Sequence, residues 1–503
     1  MEGFQLKCHD HLRPGLVLLL VSVAYFMLMA DDTIVNVALP SIRHDLGFSE
    51  SGLSWVTNAY FLAFGGFVLV GGRAADLFGR RRMFAASLGL FVAASATSAG
   101  ATSGAVLVAA RGVQGLAGAL LSPSALSILL TTFTGQRERN RALGVWAGLT
   151  GLGAATGLLL GGSLIELLSW RWVFLINVPV GLIALAAAPI VISRRDHRKR
   201  VAADFAGAAL ITAALLLLVF TIVETGHQGW GSARTVLGLA GSAVLGIVFV
   251  LRQRAATEPL VPGALLRMRN VVTADALAFV AASGLFAMFF FLTLYMQTVQ
   301  HWSALRTGLS YLPFSLTIFA TSGVLSRVSD QRTSRPLFVA GPLLAATGLW
   351  LMSHLQPGSP YATALLPALL VTALGLGLIF VPLLNAATAG VADHDSGLAS
   401  GLVTTSQQVG AAIAIAILVT IASHQTHQQL LAGAPPAQAL VDGFHTAFVI
   451  QAIVLAASAL VGAAITNPRH LRESAPPSAR ASRDHTTSNA GSRTQRRTAT
   501  DHR

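Results

Sequence analysis

The 503-residue chain alternates between apolar blocks about 20 residues long and short polar segments that carry most of its arginines. An α-helix needs about 20 apolar residues to cross a hydrocarbon core of roughly 30 Å, so each such block predicts a membrane span. Fourteen are expected, over residues 15–39, 52–72, 83–101, 105–130, 141–164, 173–193, 205–225, 235–251, 271–298, 307–326, 336–355, 361–389, 397–421 and 444–466. The predicted fold class is all-α and integral to a membrane, with fourteen transmembrane helices.

The polar segments set the organisation. The two longest internal basic segments, 194–200 and 252–270, divide the spans into six, two and six. The expected divisions are an N-terminal segment 1–14, a six-helix bundle 15–193, basic linkers with an inserted helix pair 194–270, a second six-helix bundle 271–466 and a tail 467–503. A duplicated bundle of this kind is how many transporters place a site at the membrane midplane. A faint echo supports duplication: GRAADLFGRRR after the second span is matched in register by Asp330 and Arg335 of SRVSDQRTSRP in the other half, without the glycines.

Charge fixes the expected orientation. With the N-terminus inside, 29 lysines and arginines fall in cytoplasmic segments, and external loops hold only Arg43, Arg171, Arg234 and Arg306. This asymmetry places both termini in the cytoplasm. The net charge of +13 is thereby explained without a nucleic-acid partner, because no folded basic face exists to hold one. The tail from 467 is polar, basic and rich in Pro and Ser, a composition that cannot bury a core and is read as disordered. Cys8 is the only cysteine, which leaves no disulfide framework and no cysteine metal site. No Gly-x-x-x-x-Gly-Lys-Ser/Thr motif is present, so ATP does not drive this subunit, and no HExxH pattern supports a membrane enzyme. No cofactor or metal is expected.

Two ionisable positions stand out because charges at membrane depth are costly and normally face a cavity or partner. Asp31 and Asp32 are adjacent in FMLMADDTIVNVALPSI of the first span. Neighbours on a helix point about 100° apart, so one of them leads; Asp32 shares a face with Asn36. Arg111 lies inside the fourth span with Gln114 one turn on. A desolvated carboxylate that takes up a proton and releases it when Arg111 or a cationic substrate approaches would couple protons to transport.

Three further features bear on movement and substrate. Gly72, Asp76, Gly79, Arg80 and Arg81 make a tight basic turn suited to a gate. In the fifth span Gly153, Gly157 and Gly161, with Gly162, form a small-residue stripe where another helix backbone can approach and slide or seal. Span nine, SGLFAMFFFLTLYMQ, offers Phe286, Phe290 and Tyr295 for an adaptable pocket, with part of its aromatic set expected to face lipid. Asn385 and Gln407, amides of spans twelve and thirteen, complete the expected cavity set. Asp275 and Glu224 are expected near interfaces, and span thirteen has no acid. Substrates are therefore expected to be neutral or singly cationic amphipaths.

With these residues in view, the chain resembles the major facilitator superfamily, and within it the fourteen-span drug:H+ antiporters. The first-span pattern Asp-x-Thr-Ile-Val-Asn-Val-Ala-Leu-Pro is matched from Asp31 to Pro40, the loop pattern by Gly72, Asp76, Gly79, Arg80 and Arg81, and Arg-x-x-Gln-Gly by Arg111, Gln114 and Gly115. Trp170–Gly181 resembles the junction into span six, and SGLASGLVTTSQQVG the thirteenth span. One departure is Leu158, where the Gly-Pro-x-x-Gly-Gly pattern of antiporters has proline. The resemblance implies alternating access and proton-coupled efflux of amphipathic drugs or antibiotics from a monomer in a bacterial inner membrane, with Asp31 as the leading carboxylate and Asp32 accessory. An importer of the same fold and a non-transporting sensor are the rival readings.

Overall fold

The computed structural model describes residues 2–133, 135–192, 204–256, 259–328, 334–388, 391 and 396–463. The tail 467–503, the linker 194–203, Asp330 and the side chains of Asp76 and Arg335 lie outside the described residues.

The long helices are α1 (Glu2–Leu46), α2 (Trp55–Phe78), α3 (Arg80–Ala99), α4 (Gly104–Thr132), α5 (Gln136–Leu167), α6 (Asn177–Val191), α7 (Phe205–Gln228), α8 (Ala233–Ala255), α9 (Arg269–Leu294), α10 (Leu312–Val328), α11 (Ser334–Met352), α12 (Leu366–Thr388), α13 (Ser396–Leu431) and α14 (Pro436–Ala463). Among the described residues there is no strand, and eleven helices are long and apolar enough to cross a membrane. A backbone without water must satisfy its own polar groups, and helices do so within each segment.

Local signals set the helix ends. Ser103, Asp204, Ser232 and Ser303 are N-caps whose side chains accept from Val106, Gly207, Thr235 and Arg306 N–H. The turn between α2 and α3 is a single residue, Gly79, at φ +93°, where a side chain would be strained.

The packing repeats itself. In the first six helices the neighbours are α1 with α4, α5 and α6, α2 with α4, and α3 with α4 and α6. Adding eight to each number gives pairs that also pack: α9 with α12, α13 and α14, α10 with α12, and α11 with α12 and α14. The two groups meet through α2 against α13, its counterpart α10 against α5, and α1 against α9. Helix α7 lies against α2 and α13, and α8 packs on α7 at the periphery.

Candidate functional site

Groups from five of the first six helices meet around Asp31 and its partner Arg111. Its residue is 1% exposed, as is Arg111. Arg111 Nη1 donates to Asp31 Oδ2 at 2.6 Å and to Gln114 Oε1 at 2.8 Å, and its Nε donates to the Val56 carbonyl at 3.1 Å. Gln114 Nε2 donates to Asp31 Oδ1 at 2.9 Å and to Ser95 Oγ at 2.9 Å. Asn177 Nδ2 reaches the same Oδ1 at 2.7 Å. The guanidinium also lies 4.3 Å over the Tyr60 ring and 5.8 Å from Phe174. Asp31 thus has both oxygens bonded and its charge matched.

The helices come close enough for this because they carry small residues at their crossings. Gly115 of α4 sits on the Tyr60 backbone of α2, with no room for a Cβ. Arg111, one turn earlier, is therefore held against Val56 of the same helix. The i,i+3 spacing of Arg111 and Gln114 puts both on the face turned to α1.

Asp32 differs from its neighbour. It is half-buried, and its Oδ1 is buried without a hydrogen-bond partner. Asn36, expected to share its face, donates to the Asp32 backbone carbonyl at 3.1 Å rather than to the carboxylate. A buried helix side chain finds its own i−4 carbonyl first.

The other expected site residues scatter. Gly153, Gly157 and Gly161 pack against Met29, Ala30, Thr33 and Ile34, so this stripe is the bed on which the acid-bearing α1 lies. Only Gly162 faces the second group of helices, where a Cβ would stand 2.7 Å from the Ala304 carbonyl and from Leu305 Cα. Around this crossing Gln297 Nε2 donates to Val37 O at 3.0 Å and Leu305 N–H to Glu166 Oε2 at 3.2 Å. A pocket of about 490 Å³ lies beside it, bordered by Ser41, His44, Arg171, Gln297 and Trp302.

Phe286 is half-buried and meets Phe61 of α2 edge-on, with centroids 4.6 Å apart, which puts it between the two groups. Phe290 is fully buried against Phe291, and Tyr295 occupies a π-helical turn where its hydroxyl donates to Gln356 O at 2.7 Å. The expected lipid-facing share of this set is corrected: Met288, Phe289, Phe290, Phe291, Tyr295 and Met296 are all buried by protein. Helix α9 is enclosed by α12, α13 and α14, and composition alone does not tell a lipid neighbour from an apolar helix. Asn385 is exposed near the end of α12, and Gln407 is half-buried on α13; neither joins the Asp31 network. Asp275 is half-buried with Oδ1 lacking a partner, and Glu224 accepts from Gln228. The expected basic loop is mostly helical: Gly72 and Arg73 belong to the last turns of α2 and Arg80 and Arg81 to the first turn of α3. Arg73 Nη2 donates to the Pro259 carbonyl at 2.9 Å, tying α2 to the segment before α9; a Cβ on Gly72 would meet Pro123 Cβ in ordinary contact at 3.9 Å, and Arg80 and Arg81 are half-buried.

Sequence reasoning missed Asn177, Ser95 and Tyr60. Asn177 lay within a quoted motif but had no assigned role; Ser95 carries no signal.

A duplicated helical bundle with a buried, matched ion pair in one half defines a membrane transporter rather than an enzyme. The chain matches the Major Facilitator Superfamily over residues 21–415 and belongs to it. It is 38% identical over 432 residues to the puromycin resistance protein of Streptomyces alboniger, covering 85% of each chain. It is also 38% identical over 448 residues to the cephamycin export protein of Amycolatopsis lactamdurans, covering 88% of this chain and 91% of that one. In fold it is similar to a bacterial homologue of the human lysosomal transporter Spinster, crystallised inward-facing and unoccupied. That likeness has a TM-score of 0.60 at 16% identity and covers 92% of this chain and 99% of the other.

Proposed function

We propose that this protein exports amphipathic drugs or antibiotics across a bacterial cytoplasmic membrane in exchange for protons, by alternating access of two six-helix bundles. The observation that carries this reading is the Asp31–Arg111 pair, buried at the meeting point of the first bundle in a chain whose relatives are named for drug resistance and export. Uniform burial of an ion pair is a poor route to stability, so its retention favours a working role.

In this reading α5, α10 and α11 complete fourteen spans with the eleven most apolar helices, α7 and α8 are the inserted pair, and both termini are cytoplasmic. The pairing of helices offset by eight supports a bundle over 15–193 and another over 271–466. Both bundles belong to one chain, so the monomer is the transport unit. Proton coupling belongs to the cluster of Asp31, Asp32 and Arg111 as a unit, Phe286 and Gln407 border the substrate path, and the turn around Gly79 gates the cytoplasmic side. When the substrate is neutral, each proton entering is driven by about 2.3 kcal/mol per 100 mV besides any pH difference.

The test is drug efflux from proteoliposomes under an imposed proton gradient, together with a susceptibility panel in cells. Efflux that tracks the gradient and collapses with a protonophore is expected; efflux indifferent to the gradient overturns the coupling.

A further inference from the structure

Two adjacent acids enter the membrane interior on α1, and one cation answers them. Arg111 is committed to Asp31, whose remaining oxygen is taken by Gln114 and Asn177. Three donors from two other helices already surround that carboxylate, and a substrate would have to displace them to reach it. The ionisable groups facing Asp32 are Asp31 on its own helix, Arg111 from α4 and Tyr60 from α2. Of these the only cation is already engaged. The Tyr60 hydroxyl turns toward Asp32, yet neither it nor Asp32 Oδ1 completes a hydrogen bond. A buried carboxylate in that position is costly as an anion and needs a proton or another cation.

The same face of α1 holds an aromatic surface. Tyr25 stands seven residues, two helical turns, before Asp32, and its ring stacks on Trp146 of α5 at 3.8 Å and 16°. Both rings are half-buried: part of each packs against the core and part stays accessible. Flat π-systems two turns, about 10 Å, along the helix from an unmatched acid suit an extended organic cation whose charge and rings are separated.

Deepening the exporter reading, on which this rests, we propose that Asp32 is the exchangeable acid: it holds the transported proton and yields it to a singly charged aromatic cation, while Asp31 is a positioning residue clamped by Arg111. The step balances. One proton leaves the carboxyl oxygen as one cation takes its place, no bond to carbon changes, and the site keeps its net charge. Because one positive charge moves each way, export of a monovalent cation is electroneutral and responds to a pH difference but not to voltage.

The experiment uses purified full-length protein and tetraphenylphosphonium as the probe, in weakly buffered detergent solution with a pH dye and then in proteoliposomes. Wild type is expected to release about one proton per probe bound near neutral pH, the signature of a competing acid. Asp32→Asn is expected to release none and to bind roughly thirtyfold more weakly or worse, the scale of removing one member of a buried charge pair. Asp32→Glu restores both release and binding. Asp31→Asn, checked as monodisperse, still releases the proton. Wild-type transport is expected to ignore an imposed potential at equal pH. The proposal is overturned if wild type does not bind the probe, if Asp32→Asn releases protons like wild type, or if monodisperse Asp31→Asn is the variant that loses release. Failure of the exporter reading looks different, since wild type would then move no compound under any proton gradient.

Discussion

Asp31 Oδ2 and Arg111 Nη1 lie 2.6 Å apart with neither residue more than 1% exposed, and every other donor on Asp31 comes from a different helix than Asp31 itself. Such a pair is worth little against an apolar replacement, but breaking it from one side strands a charge.

Arg111→Ala leaves Asp31 uncompensated and frees the Val56 carbonyl. The expected cost is about 3–5 kcal/mol of stability, read as a lowered melting temperature in detergent and a loss of transport. Arg111→Lys keeps the charge but cannot serve Val56, Asp31 and Gln114 at once, because a single ammonium lacks the guanidinium fork. It is expected to fold better than the alanine variant and still transport poorly. Equal stability of wild type and Arg111→Ala would show the pair to be energetically idle.

Gly162 is the one member of its stripe that touches the second group of helices. A valine there drives its Cβ against Ala304 O and Leu305 Cα, both at 2.7 Å from the position a Cβ would take. The crossing must part, and the Gln297–Val37 hydrogen bond beside it with it. In a Cys8→Ser background, Gly162→Val is expected to raise labelling of Gln297→Cys by an impermeant maleimide several-fold, while Ser41→Cys in the open pocket labels alike in both. Unchanged labelling at 297 would mean the crossing does not seal.

The sequence announced the unusual chemistry but not its wiring. Asp31 and Arg111 stand out because charge is rare in apolar helices, whereas Ser95 and Asn177 look like any polar residue tolerated there. Which acid of the adjacent pair meets Arg111 depends on the rotation of α1 about its axis, and that is set by Gly153, Gly157 and Gly161 beneath it. Duplication was barely legible, since side chains had diverged while the pairing of helices had not. The aromatic run of α9 illustrates the limit: lipid and protein interior select the same residues.

Phe286 and Asn385 were both expected at the substrate, and their surroundings now separate them. Phe286 bridges the two groups through Phe61, so Phe286→Ala is expected to change the apparent KM for aromatic substrates and shift the drug profile. Asn385 is exposed near the end of α12, and Asn385→Ala is expected to transport as wild type does. A panel of efflux rates for both variants decides; a larger change at 385 would relocate the substrate path.

Asp204, just before α7, gives a pH dependence with a definite sign. Burial pushes its carboxyl up, but the Arg252 guanidinium, the Gly207 N–H and Gln253 outweigh burial and hold it below the usual carboxylate range. A group depressed in the folded state binds fewer protons there than when unfolded, so its contribution is present above the unfolded value of about 3.9 and is lost as pH falls through the folded value. Asp204→Asn keeps a capping oxygen but removes the charge facing Arg252. The variant is expected to melt below wild type at pH 7, and the gap is expected to narrow as both are taken below about pH 4. A gap that stays constant across that window would mean that the Arg252 contact, 2.9 Å from Nε to Oδ1, contributes through shape and not through charge.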